Sequence, residues 1–128
     1  MPITYERDDE RRRIIVTTVG TVAYEEVMAV VDRQAAEGTW QYGMLYDSRL
    51  VSTVASQADV RMGLKHVETL SRAFGQRGPV AFVTTMPAAY GMVRMYSILA
   101  GQLHQSVEVF RDIGDAERWI EAHTQPAP

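Results

Sequence analysis

Cysteine is absent from the chain, which excludes disulfides, thiolate metal sites and cysteine nucleophiles and leaves the redox compartment open. Long apolar runs are missing as well. No stretch approaches the roughly 18 apolar residues of a membrane span, and the opening MPITYERDDERRR lacks the apolar core of a signal peptide. The expectation is a cytoplasmic protein without a transmembrane segment. Charge of one sign is also scarce. Thirteen Lys+Arg against 16 Asp+Glu leave a net charge of −3, which offers no general attraction to nucleic acid or anionic membrane. Gly-x-Ser-x-Gly, Walker-type and Rossmann fingerprints do not occur, and Gly75-Gln76-Arg77-Gly78 follows a predicted helix where a phosphate cradle would precede one. His66 and His104 lie far apart with no third ligand at helical spacing, so neither a metal nor a cofactor is expected.

What is present is ordinary globular material. With 128 residues, 46% hydrophobic and 23% charged, the chain reads as one domain over residues 1–122, followed by a fraying tail over 123–128 that carries two prolines. Ile3–Arg7 and Arg11–Thr18 flank an acidic turn and predict a hairpin. Arg11, Arg12 and Arg13 alternate in direction along a strand, so they read as a solvated run balanced by that turn and not as a phosphate patch. Thr21 is placed to cap a helix over about 23–37, where Tyr24, Val27, Val31 and Ala35 share a face.

Gly43–Tyr46 then reads as a buried strand with a polar end, Asp47-Ser48-Arg49. Ligands of open α/β sheets bind at the carboxyl ends of strands, so these three are the first polar residues to consider for binding. The plainer reading is an Asp-Arg pair fixing the next loop. Leu50–Ala55 is a loop, and Ser56 with Asp59 forms a capping box opening a helix to about Phe74. Val80–Val83, the most continuous β-type run, is expected as the central strand. Thr85 is expected to cap a helix with Pro87 in its first turn. Val107–Arg111 alternates like an edge strand, and Asp112 or Asp115 opens a last helix with Ala116, Trp119 and Ile120 inward.

The helix over 87–103 is apolar around most of its circumference. Such a helix is enclosed by its own domain or covered by something else. Met92, Tyr96, Leu99 and Leu103 share one face, Met95 broadens it, and Arg94 rises from its middle, either snorkelling to solvent or held by a carboxylate. Alternating strands and helices predict an α/β fold, a mixed and mostly parallel four- to five-stranded sheet with about four helices. If successive strands are neighbours, right-handed crossovers place the helices on one face and leave the other needing cover.

Several stretches carry a resemblance: Leu45-Tyr46-Asp47-Ser48-Arg49, the run Tyr90-Gly91-Met92-Val93-Arg94-Met95-Tyr96, and Val109-Phe110-Arg111-Asp112 with Ala116 and Trp119-Ile120. With the order of elements, they resemble the SpoIIAA-like family, small bacterial proteins with STAS or CRAL-TRIO-like domains and a β-α superhelix. The resemblance runs from about Ile3 to Ile120. It implies no settled activity, and it implies that Asp47, Arg49 and Arg94 are neighbours. Better-understood relatives, the anti-sigma-factor antagonists, are switched by phosphorylation of a serine in an Asp-Ser-x-Gly-like motif. This chain has Leu50-Val51-Ser52-Thr53-Val54-Ala55 there, with neither the Asp-Ser pair nor the glycine, although Ser56 holds the cap and is the position a phosphate would take.

Two functional readings follow. The first is a non-catalytic regulatory or protein-interaction domain, a homodimer or a binder of another protein, using Met92, Met95, Tyr96 and Leu99. The second is a carrier or sensor of a small apolar or acyl ligand, with Arg94 or Arg49 for an anionic head group. A hydrolase site of Ser48, Asp47 and a histidine is the enzymatic alternative, but no feature of the sequence brings His66 or His104 to it.

Overall fold

A computed structural model describes residues 3–126. Two antiparallel strands, β1 (Ile3–Asp8) and β2 (Arg13–Gly20), are followed by α1 (Tyr24–Ala36), β3 (Gly43–Val51), α2 (Gln57–Phe74), β4 (Val80–Val83), α3 (Pro87–Gln102), β5 (Val107–Phe110) and α4 (Ile113–His123). The strands form one five-stranded sheet in the order β1-β2-β3-β4-β5. Only the β1–β2 pair is antiparallel. The hairpin, the parallel α/β sheet and the edge position of β5 are as the residue patterns predict. β4 is interior, but β3 is the middle strand.

Because successive parallel strands lie side by side, the crossovers carry α1, α2 and α3 to one face. There Ile14, Val16, Met44, Tyr46, Val80 and Val107 pack with Val30 of α1, Val60 and Leu64 of α2 and Ala100 of α3. The opposite face was expected to need an outside cover. Instead, Leu45, Ala81 and Val83 are buried under Ala116 and Ile120 of α4. The continuous apolar runs of β3 and β4 require cover on both sides, and the chain supplies it itself. Gly43 marks how closely α4 lies: a Cβ there would stand 2.7 Å from Ile120 Cγ2 and from Thr124 Oγ1. Trp119 is only partly buried, tilted against Phe110 and stacked on His123.

Helix starts differ in detail from expectation. Ser56 Oγ accepts from Asp59 N (3.0 Å) and Asp59 Oδ2 from Ser56 N (3.3 Å), the predicted reciprocal box. Asp112 likewise accepts from Asp115 N (3.0 Å). Thr21 does not cap α1. The helix begins two residues later, with Glu26 accepting from the Ala23 N–H (2.9 Å). Thr85 does not cap α3 either, since Met86 occupies that position without a side-chain bond and Pro87, which has no N–H to satisfy, follows.

Two arginines are more buried than the sequence suggests. Arg13 is 6% exposed, not solvated, and its Nε has no partner. Arg77, 7% exposed, donates from Nε to Gln34 Oε1 (2.9 Å) and from Nη2 to Met44 Sδ (3.2 Å). Gln34 in turn donates to the carbonyls of Thr39, Trp40 and Tyr42, so this buried pair pins the chain entering β3. The tail expected to fray lies partly outside the described residues; His123 closes α4 and Thr124 Oγ1 donates to Ile120 O (2.7 Å). No helix among the described residues is long and apolar enough to cross a membrane.

Candidate functional site

The carboxyl ends of β2, β3 and β4 and the starts of α1, α2 and α3 line a pocket of about 210 Å³ that is open to solvent on one side. Its floor follows from sheet register. Val16, Tyr46 and Phe82 are aligned across the three strands, and the next aligned set is Thr17, Asp47 and Val83. One residue further, at the register irregularity after Thr17 and just past the end of β4, Thr18, Ser48 and Thr84 lie towards the face covered by α1, α2 and α3 and line the pocket. The space therefore has an aromatic row below and a hydroxyl row above.

Tyr46 and Phe82 stack with centroids 4.6 Å apart and 5° between planes, and Tyr96 of α3 meets Phe82 edge-on at 6.0 Å. Such pairs hold each other in fixed orientation. Burial pushes the Tyr96 phenol up to about 12 and raises that of Tyr46, with the Arg77 cation partly opposing both. The walls are Val27, Val60, Met92 and Val93, and small residues at the helix starts, Ala23, Ala55 and Ala89, leave the space unfilled. Across the loops, Val22 N donates to Thr53 Oγ1 (3.2 Å), Thr53 Oγ1 approaches Val22 O (3.4 Å), and Ser52 N donates to Gly20 O (2.9 Å), tying the β2–α1 turn to the β3–α2 loop.

The polar residues divide. Ser48 lines the cavity and accepts from Thr18 Oγ1 (3.0 Å). Asp47 points to the other face, where Arg49 grips it with Nε and Nη2, both at 2.8 Å. That hydrogen-bonded guanidinium holds the Asp47 carboxyl below the usual carboxylate range. Asp59, the one charged residue on the lining, serves the α2 cap. Arg94 is exposed and, among the described residues, its guanidinium makes no ion pair or hydrogen bond. Asp47 and Arg49 are thus paired, and Arg94 does not join them.

On α3, Met92, Met95, Tyr96 and Leu99 are partly buried and pack against the core, with Met92 and Tyr96 also lining the cavity. The outward apolar residues are Ile98, 58% exposed, and Leu103, 41% exposed. Of the histidines, His66 Nε2 lies 2.6 Å from Asp32 Oδ1 between α1 and α2, and His123 is bonded to the Trp119 carbonyl (2.8 Å), so neither attends Ser48. Among the described residues no group of three or more His, Cys, Asp or Glu is placed to hold a metal ion. Thr18, Thr84 and Tyr46 are site residues that sequence reading missed. Their signal was the strand-end rule already applied to Ser48, extended to neighbouring strands.

No protein-family model matches the chain, and no curated protein matches it in sequence. Solved structures do. An anti-sigma factor antagonist from Mycobacterium paratuberculosis superposes with a TM-score of 0.57 at 17% identity, over 92% of this chain and 93% of that one. An uncharacterised protein of the DUF3478 family from Shewanella loihica, described as having a SpoIIAA-like fold, superposes with a TM-score of 0.56 at 15% identity, over 92% and 91%. The chain has the SpoIIAA-like fold, a mixed and mostly parallel five-stranded α/β sheet with four helices.

Proposed function

We propose that this chain is a non-catalytic binding domain of regulatory type, and that its site is the cavity at the strand ends, occupied by a small apolar molecule. The observation that carries this reading is the cavity: about 210 Å³, bounded by aromatic and aliphatic side chains, with one charged residue on its lining. A sealed apolar cavity of roughly 150 Å³ takes up benzene, and this open pocket of about 210 Å³ has room for a molecule of that size or slightly larger. Its position is where open α/β sheets bind ligands. Native mass spectrometry of protein purified from the cells that make it tests the reading. A small adduct released on collisional activation is the expected result; protein free of adduct, which also fails to take up added toluene, contradicts it.

A second reading is a protein-binding surface, either a homodimer seam or a contact with another protein, and it is favoured by Ile98 and Leu103 on the outer side of α3. In that case Ile98→Glu converts an assembly into a folded monomer by light scattering, and an unchanged mass places the contact elsewhere. A phosphate on Ser56 would meet the favourable N-terminus of α2, away from the α3 residues.

A further inference from the structure

Resting on the cavity reading above, we infer that the occupant is a neutral, ring-bearing molecule with one hydrogen-bonding group, its ring against Tyr46 and Phe82 and that group at Thr18, Ser48 and Thr84. Two of the three hydroxyls are on buried residues and Ser48 is half-buried. Thr18 and Thr84 are 3% and 2% exposed. Thr18 Oγ1 lies 3.0 Å from Ser48 Oγ and 3.5 Å from Asp47 O, so the pair keeps hydrogen-bonding capacity for a ligand whichever hydroxyl donates. Thr84 also lines the pocket, and its hydroxyl is not one of the fully enclosed atoms left without a partner, which among the described residues are Arg13 Nε and Ser71 Oγ. A ligand hydroxyl or carbonyl bound there replaces water on the hydroxyls of the lining.

Full charge on the occupant has no counter-ion. Arg49 is committed to Asp47 on the far side of the sheet and Arg94 is exposed away from the lining, so a carboxylate would be buried without a cation. For a cation, the Asp59 carboxylate is engaged at Ser56 N, and the starts of three helices present partial positive charge. The molecule is roughly six to ten non-hydrogen atoms in size, scaled from the benzene-binding cavity.

Four probes of one shape separate the possibilities: toluene, p-cresol, 4-methylbenzoate and 4-methylbenzylammonium, each titrated into the whole chain at neutral pH with NMR of the Ala89, Met92 and Val93 methyl groups as readout. The expected result is that p-cresol binds at least tenfold more tightly than either charged compound. Thr84→Val, isosteric but without the hydroxyl, weakens p-cresol about fivefold, the scale of one neutral hydrogen bond, and leaves toluene within about twofold. Thr84→Ser restores p-cresol binding. Should p-cresol be indifferent to Thr84→Val while toluene still binds, the hydroxyl row has no role and the cavity reading stands alone. Tightest binding by a charged compound overturns the neutral assignment, and failure of all four removes the cavity reading with it. Ser48→Ala, scored in the same way, keeps the test available if Thr84→Val does not fold.

Discussion

Phe82→Ala probes the aromatic row directly. The ring is half-buried, stacked on Tyr46 and meets the edge of Tyr96, so truncation removes two aromatic pairs together with a ring that still borders solvent. Phe→Ala in a packed core costs roughly 3–5 kcal/mol. Phe82 lines the cavity, and a side chain bordering empty space has fewer dispersion contacts to lose. The expected loss is therefore at the lower bound, about 3 kcal/mol, within the roughly 5–15 kcal/mol stability of a small domain, so the variant folds. The enlarged cavity should accept benzene, and at a hundred times its Kd benzene restores about 2.7 kcal/mol. Urea denaturation with and without benzene measures both quantities. A loss under about 1 kcal/mol would show that the ring is not packed as described. An unchanged midpoint in saturating benzene would show that the vacated space does not join the pocket.

Three further outcomes follow. Gly78→Ala places a Cβ inside contact distance of the Tyr42 and Gln41 carbonyls, which are backbone and cannot yield, whereas Gly91 of α3 has nothing within 4 Å. Urea melts should show a loss of about 3 kcal/mol or more at Gly78 and a gain of about 0.5–1 kcal/mol at Gly91, where a helix prefers alanine; similar effects at both would refute the stated packing. Tyr96 has its folded pKa raised to about 12 from an unfolded value of about 10. Its protonated form is thus favoured by folding, its contribution is complete below about 10, and it is lost as pH rises towards 12. Thermal melts of the parent and Tyr96→Phe should diverge only in that alkaline window, and a difference that grows towards acid pH would refute the sign. Arg77→Met keeps the bulk but leaves Gln34 Oε1 without its donor, costing about 1–3 kcal/mol in denaturant melts; a neutral change would show that the buried network does not hold the β3 approach.

Fold was more legible in the residues than site. Alternating or continuous apolar runs and amphipathic stretches located the five strands and four helices, because each depends on its own local pattern, although β3 runs on through Leu50 and Val51, which read as loop. The role of α4 was missed since chain order alone leaves one face open. Leu45, Ala81 and Val83 lie on that face, and their apolar character beside Ala116 and Ile120 was the available clue. Thr21 and Thr85 misled because a hydroxyl near a helix start is a common cap, while here Glu26 and Pro87 do that work.

The candidate site was half visible. Ser48 followed from the strand-end rule, but Thr18 and Thr84 lie 30 residues before and 36 after it in the sequence, and only the side-by-side order of β2, β3 and β4 brings them to one pocket. The apolar excess of α3 was read as outward surface. Much of it turns inward, because Ala89 and Ala100 let the helix lie close to the sheet and draw Met92, Tyr96 and Leu99 against the core.

A crystal of the unliganded protein placed under xenon pressure reports whether the pocket is an apolar binding space, since apolar cavities take up xenon. The expected result is one strong xenon peak among Tyr46, Phe82, Ala89, Met92 and Tyr96. Xenon confined to other places, or ordered water filling that space, would contradict it.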